Sequence, residues 1–283
     1  MYRIVKKEVH SPVIKEIEVE APRIAAKAQA GNFVILRVSE LGERIPLTVG
    51  DSDVDRGTIT MVFQEVGKTT KELGLLEVGD ELRDLVGPLG HNREIPEGKR
   101  IVCVAGGVGT APIYFQAKAM RAAGNHITTI MGARNVDLYF WRDRIESISD
   151  RVLYCTDDGT FGTHGFVTDV LRDLIESGEQ IDEVDAIGPM PMMRATCELT
   201  RPYDLYTVVS LDSLMVDGTG MCGGCRVTVG GEIRFTCVDG PEFDGHKVDF
   251  EELAKRKAAY REHEEESCRL FEAESATERK VAQ

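Results

Sequence analysis

At residue 100 the chain reads RIVCVAGGVGTAP, an apolar run that ends in a glycine-rich turn and opens the helix-like stretch IYFQAKAMRAAG. This feature constrains the fold most. A continuous apolar strand is buried on both faces, and one that turns directly into a helix belongs to a parallel sheet. The pattern repeats downstream as HITTIMGAR, RVLYCTDDG, the amphipathic GFVTDVLRDLIESG and EVDAIGP. Strands alternating with helices predict a doubly wound parallel sheet over residues 97–209.

Residues 1–96 have another texture. FVILRV (33–38), GTITMVFQEV (57–66) and DELRDLVGPLG (80–90) are β-rich runs broken by Gly, Pro and Asp, as in an antiparallel barrel or sandwich. TTKELGLL (69–76) is the exception and reads as a short helix opening on threonines. Short alternating segments within 210–248 carry three cysteines. Residues 249–283 are dense in Glu, Lys and Arg, with Leu253, Tyr260, Leu270 and Phe271 as the main apolar residues. This tail reads as helical, either a solvated helix or an arm that docks a partner. At 283 residues, 42% of them hydrophobic, the chain has material for more than one core.

A net charge of −14 repels phosphate backbones, so nucleic acid is not an expected partner. No apolar run approaches the ~18–20 residues of a membrane span. The opening MYRIVKKEVH lacks the apolar stretch of a signal peptide, and the expectation is a cytoplasmic protein. Seven cysteines in that setting read as metal ligands and buried thiols rather than disulfides. Cys103 and Cys155 in apolar strands, and Cys197 in a helix, read as packing residues; so does Trp141. Cys268 lies in the charged tail, away from any ligand spacing.

Three stretches carry chemistry. Gly106, Gly107 and Gly109, with Thr110 opening the helix, let backbone N–H groups approach a phosphate; the plainer reading is a tight strand–helix turn. In ERIPLTVG, Arg44 and Thr48 share a strand face with Pro46 between them, which suits an anionic ligand or an edge strand with a solvated arginine. Gly67, Thr69 and Thr70 form a second candidate phosphate cradle, or ordinary threonine capping. Finally, VDGTGMCGGCRV and RFTCVDG supply Cys222, Cys225 and Cys237. These three thiols fit a zinc staple or an iron–sulfur cluster, either of which wants a fourth ligand.

Taken in order, Arg44-x-Pro46-x-Thr48, Gly67-Lys-Thr69-Thr70, Gly87-Pro88-x-Gly90, GGVGTAP, TDDGTFGTHGFV and GPMPMM resemble the ferredoxin–NAD(P)+ reductase superfamily. With the cysteine-rich segment, residues 1 to about 250 are similar to two families within it. One is the electron-transfer subunit of dihydroorotate dehydrogenase. The other is the small subunit of NADH-dependent reduced ferredoxin:NADP+ oxidoreductase, also known as the sulfide dehydrogenase β subunit. The resemblance implies an FAD-binding antiparallel β-barrel (1–96), an NAD(P)-binding α/β domain (97–209), a small [2Fe-2S] domain (210–248) and the charged helical tail (249–283).

It also implies roles. Arg44 would pair with the FAD phosphates and isoalloxazine edge, Thr48 would act near flavin N5, and Gly67, Thr69 and Thr70 would hold the pyrophosphate; Pro46, Leu47 and Gly87 belong to the same cofactor set. Gly106, Gly107, Gly109 and Thr110 would line the nicotinamide nucleotide site with Arg134, Asp157, Asp158 and the Gly188-Pro189 turn. Ile187 stands where the superfamily often has cysteine. The electron-transfer subunits carry four cysteines, the first five positions before the second, and that position here is Asp217. Asp217 is thereby implied as the fourth cluster ligand beside Cys222, Cys225 and Cys237, its other reading being a turn former before Gly218. A carboxylate at this place resembles the ferredoxin:NADP+ oxidoreductase subunit more than the dihydroorotate enzyme.

The implied activity is electron transfer between NAD(H), FAD and a [2Fe-2S] cluster in a flavin-based electron-bifurcating heterodimer. The large partner would carry another FAD and [4Fe-4S] clusters and would be the route to ferredoxin. The alternatives are the dihydroorotate dehydrogenase electron-transfer subunit and a zinc-stapled nucleotide-binding module without redox activity. Nucleotide choice is also legible. GARNVDLYF offers one cation, Arg134, with Asp137 close behind, whereas an adenosine 2′-phosphate wants a cluster of cations. NADH should therefore be preferred; a lower KM for NADPH in steady-state diaphorase assays would overturn this.

Overall fold

The computed structural model describes residues 2–281. Up to Leu89 the chain lays down β1 (Tyr2–Val9), β2 (Ile14–Glu20), α1 (Pro22–Ala25), β3 (Phe33–Arg37), β4 (Arg44–Thr48), β5 (Asp51–Asp53), β6 (Thr58–Gln64), α2 (Lys68–Leu75), β7 (Glu81–Leu82) and β8 (Asp84–Leu89). These make two antiparallel sheets, ordered β5-β6-β2-β1-β7 and β4-β3-β8. Ile17, Val34, Leu36, Met61 and Phe63 are among the side chains of their shared core.

Strand β3 departs from simple alternation because both its faces are covered. Val34 and Leu36 point into the barrel core, while Phe33 and Ile35 point out against Met215, Cys225 and Cys237. Its neighbour β4 is an edge strand, pairing Pro46 with Ile35. A proline can stand there without interrupting an inner ladder.

The second layer follows with β9 (Arg100–Gly106), α3 (Thr110–Ala122), β10 (His126–Ala133), α4 (Arg142–Ile148), β11 (Arg151–Thr156), β12 (Thr163–His164), α5 (Val167–Glu176), β13 (Glu183–Ile187), α6 (Met190–Thr200) and β14 (Thr207–Ser210). The sheet order is β12-β11-β10-β9-β13-β14, all parallel. From β9 the chain winds one way through β10 and β11 and then returns to β13 on the other side. The switch point therefore lies between β9 and β13.

The remainder comprises β15 (Arg226–Val229), β16 (Glu232–Phe235), β17 (Glu242–Asp244), α7 (Phe250–Lys257) and α8 (Arg261–Val281). β15 and β16 form a hairpin across Gly230 and Gly231, whose φ values of +62° and +81° match a two-residue turn. β17 leaves this segment and joins the parallel sheet antiparallel to β14. The charged tail is docked rather than simply solvated. Asp249 caps α7 by accepting the N–H groups of Glu251 and Glu252, and Phe250 and Leu253 bury in the core of the parallel sheet. α8 returns to the barrel, where Lys71 of α2 donates to Cys268 Sγ at 3.1 Å and pairs with Glu272. Among the described residues, no helix is long and apolar enough to cross a membrane.

Two polar clusters fix the layers to each other. Arg93, in the connection from barrel to sheet, meets Glu183, Asp185 at 2.5 Å and Glu242 at 3.3 Å. Glu16 of β2 accepts the Trp141 Nε1–H at 2.8 Å, contacts His10 Nε2 at 2.9 Å and receives Lys6 Nζ at 3.2 Å. Burial alone would raise the Glu16 carboxyl, but the His10 and Trp141 hydrogen bonds and the Lys6 charge outweigh it and bring it down to about 2. A lowered carboxylate contributes stability that is complete above its unfolded value, near 4.5, and lost as the pH falls towards 2. Glu16→Gln should cost about 1–3 kcal/mol at neutral pH. In denaturant titrations its deficit from wild type should shrink as the pH falls below 4.5; a deficit constant with pH would refute the ionic role.

Candidate functional site

The flavin-motif residues and the helix at Gly67 meet through one contact. Thr69 Oγ1 donates to Glu43 Oε2 at 2.9 Å, which ties the first turn of α2 to the residue before Arg44. Thr70 Oγ1 accepts the N–H groups of Val66 and Gly67 at 3.0 Å each, so this hydroxyl caps its own helix. Gly67 borders open space, with nothing within 4 Å of where a Cβ would sit. Arg44 is exposed at the start of β4 and has no carboxylate partner among the described residues. An unpaired guanidinium beside an open helix N-terminus suits a diphosphate. Pro46, Leu47 and Thr48 continue β4, half-buried. At Gly87 packing alone calls for glycine, since a Cβ there would lie 2.7 Å from Val34 Cγ1.

The glycines after β9 divide in the same way. A Cβ on Gly106 would meet Met192 Sδ at 2.4 Å, and one on Gly109 would meet the Ile187 carbonyl oxygen at 2.1 Å. These two let β9 and α3 press against the Ile187–Pro189 turn, and Gly188 in turn lies against Gly106. Gly107 alone adopts a left-handed φ, +54°, and faces open space. Of the three it is the one shaped for a ligand rather than for packing. The turn sits at the carboxyl ends of β9 and β13, the switch point of the sheet, where open α/β sheets bind ligands. Arg134 follows the end of β10, Asp157 and Asp158 follow the end of β11, and Gly188-Pro189 follows β13, so all open on the same edge. Arg134, Asp157 and Asp158 are exposed. Asp158 accepts the N–H and hydroxyl of Thr160 at 3.0 and 2.6 Å, which hold its carboxyl below the usual range.

Barrel and sheet touch where the two motifs converge. A methyl added at Gly50, two residues beyond Thr48, would lie 3.1 Å from both Ala111 Cβ and Trp141 Cη2. Ala111 is in the first turn of α3, so the backbone just past β4 abuts that helix directly. Trp141 is the wedge between them, held by Glu16 and capped by Arg144 at 4.2 Å from its ring. Sequence spacing gave no sign of this pairing, because Glu16 and Trp141 lie 125 residues apart.

The cysteines gather on the other side of β3. Cys225 and Cys237 are buried with their sulfurs 3.2 Å apart, while Cys222 is exposed at the rim. Burial, then the Cys225 thiol beside it, push the Cys237 thiol up to about 12, and a metal bound there would displace its proton. The Asp217 carboxylate accepts the N–H groups of Thr219, Met221 and Cys222 at 2.9, 3.1 and 2.8 Å. The Thr219 N–H, with those of Cys222 and Met221, keeps this exposed carboxyl below its usual range. Asp217 thus reaches the Cys222 backbone and shapes the loop it belongs to. Asp217, Cys222 and Cys225 on the glycine-rich loop, with Cys237 beyond the β15–β16 hairpin and beside Cys225, are three soft thiols and one carboxylate, a donor set that suits iron–sulfur chemistry. A Cβ on Gly218 would strike Leu89 at 2.6 Å and Ile35 at 2.9 Å, so the loop rests directly on β3 and β8.

Comparison with known proteins agrees with this layout. Residues 212–249 match the iron–sulfur cluster binding domain of dihydroorotate dehydrogenase B. The Thermotoga maritima protein named dihydroorotate dehydrogenase B (NAD(+)), electron transfer subunit homolog is 47% identical over 268 residues, spanning 95% of this chain and 94% of that one. An uncharacterized Clostridium beijerinckii protein from the adh 3′ region is 45% identical over 272 residues, 93% of this chain and 92% of its own. Among solved structures, a chain from the work on flavin-based electron bifurcation by NADH-dependent reduced ferredoxin-NADP oxidoreductase superimposes with a TM-score of 0.91. It is 44% identical and covers 96% of this chain and 98% of its own. A ferredoxin reductase of carbazole 1,9a-dioxygenase, 20% identical with a TM-score of 0.62 over 72% of this chain and 65% of its own, shares the fold.

The glycine assignments separate packing from binding. Gly109→Ala should lower the melting temperature sharply, since its Cβ meets backbone. Gly107→Ala should cost only about 1–2 kcal/mol of left-handed strain yet weaken NADH binding at least tenfold. Calorimetry and a nucleotide titration check both, and a Gly107→Ala protein binding NADH normally would remove Gly107 from the site.

Proposed function

The chain belongs to the family of the dihydroorotate dehydrogenase B electron-transfer subunits and their homologues, within the ferredoxin reductase superfamily, and on that footing we propose that it is the FAD- and [2Fe-2S]-bearing subunit of an NADH-dependent reduced ferredoxin:NADP+ oxidoreductase. One observation carries the reading. Strand β3 has Cys225 and Cys237 packed on its outer face and the flavin-motif strand β4 as its hydrogen-bonded neighbour, with the α3 helix start against Gly50 on the far side. This arrangement supports a reading in which nucleotide, flavin and cluster would be consecutive neighbours.

The chemistry supplied by FAD when bound is conversion between the two-electron hydride of nicotinamide and the single electrons of an iron–sulfur cluster. The protein's part is positioning. Arg44 and the α2 N-terminus offer positive potential to the flavin diphosphate, and Thr48 offers a hydroxyl at the ring edge. Gly107 admits the nucleotide to the α3 N-terminus, with Arg134, Asp157, Asp158 and the Gly188-Pro189 turn around it. Asp217, Cys222, Cys225 and Cys237 hold the cluster. Cys222 stands at the exposed rim with Met221, 88% accessible, beside it, and Val216 and Val238 are also exposed there. That apolar rim is where a larger catalytic subunit would take electrons onward, with its own FAD and [4Fe-4S] clusters leading to ferredoxin. The dihydroorotate dehydrogenase assignment is the second reading, favoured by the names of several relatives. Asp217 in place of a fourth cysteine weighs against it.

Asp217 is the residue to test. As a ligand, its change to Asn should leave the cluster iron-depleted or altered in electron paramagnetic resonance, and its change to Cys should keep the cluster with a shifted potential. An Asn variant with native spectrum and native potential would reduce Asp217 to a loop-shaping residue.

A further inference from the structure

Helix α7 lies beyond the segment matched to the cluster-binding domain, yet it meets the cysteine loop and its flanks at three points. Glu252 accepts the Thr228 N–H at 3.0 Å, and Lys257 pairs with Asp212. Arg256 Nη2 donates to the carbonyl oxygens of Gly223 at 3.4 Å and Gly224 at 3.2 Å, the two residues between Cys222 and Cys225. The side chain is held in place, since Phe250 and Leu253 anchor the same helix in the core.

Arg256 is unusual in what it lacks. Its Nε is buried without an acceptor, and among the described residues the guanidinium has no carboxylate partner. Immobilising an arginine costs side-chain entropy, and partly desolvating its charge costs more. Among the described residues no carboxylate oxygen lies within 4.0 Å of the Arg256 guanidinium. Two neutral glycine carbonyls, those of Gly223 and Gly224, are its partners. Its charge is therefore directed at the loop and what the loop holds.

We propose that Arg256 is a positioning residue for the cluster: it fixes the Cys222–Cys225 turn through the two carbonyls, and its charge, which is in no salt bridge among the described residues, raises the reduction potential of the iron–sulfur group. The proposal rests on the reading of Asp217, Cys222, Cys225 and Cys237 as a cluster site. Adding one electron adds one negative charge, which a nearby fixed cation favours. Iron–sulfur potentials respond to local charge and to hydrogen bonding around the ligands. The residue would thus make the cluster a better acceptor of electrons from the flavin side.

The test uses full-length protein as wild type, Arg256→Gln and Arg256→Lys, each assayed for iron and titrated reductively under electron paramagnetic resonance. Gln keeps a donor without the charge; Lys keeps the charge without the fork. All three should hold iron. Reduction of the Gln variant should be less favourable by roughly tenfold in equilibrium constant, about 59 mV for one electron, and the Lys variant should stay close to wild type. A Gln potential equal to that of wild type overturns the electrostatic role. Loss of iron from both variants overturns the electrostatic role and leaves Arg256 only the fixing of the turn. A wild-type protein that holds zinc, or shows no reduced-cluster resonance, overturns the cluster reading and this proposal together, and is recognised because no variant then has a potential to compare.

Discussion

The structure turns on one guanidinium. Arg93 leaves the barrel in the connecting segment and enters a pocket of three carboxylates, Glu183 and Asp185 on β13 and Glu242 on β17. Burial pushes the Asp185 carboxyl well up against the pull of Arg93, and it raises Glu242 to about 6. The cation is thus what makes so much buried acid tolerable. Removing one member of such a buried ionic set typically costs about 3–5 kcal/mol. Because β13 carries the Gly188-Pro189 turn and β17 ends the cysteine segment, one interaction holds barrel, nucleotide sheet and cluster segment in a fixed relation.

Fixed relation matters for a device that passes charge between separate groups. β3 is the common wall: its inner face builds the barrel core, its outer face receives the sulfur loop, and its edge partner carries Arg44 and Thr48. The Glu16–Trp141 wedge performs the same service on the opposite side, setting α3 against Gly50. Neither contact is part of a motif. Each joins residues distant in sequence, and together they bring three local motifs side by side.

Much of this was legible before the fold was known, and the boundary of legibility has a physical cause. The strand–turn–helix at RIVCVAGGVGTAP declared itself because burial on both faces and glycine in the turn are local properties. An edge position for Pro46 was one of two readings its missing N–H allowed, and β4 is an edge strand. What the sequence could not separate was why a glycine is a glycine. Gly87, Gly106 and Gly109 are excluded from carrying a Cβ by Val34, Met192 and the Ile187 carbonyl, which arrive from elsewhere in the chain, whereas Gly107 borders open space. Likewise, Arg256 sits among charged residues that face solvent, and no local feature marks the one whose guanidinium turns inward. The tail was readable as helix but not as docked, because Phe250 and Leu253 are too few to form a long apolar stripe.

The pairing of Ser210 with Glu242 gives the cysteine segment an evolutionary character. Both ends of the excursion are pinned side by side at the margin of the parallel sheet, so the chain between them begins and ends at nearly the same place. Such a loop can lengthen, shorten or be exchanged with little change in the closure entropy of the body that bears it. A nucleotide-binding reductase can thus acquire a one-electron outlet by insertion at a sheet margin, without redesign of either the barrel or the strands that preceded it.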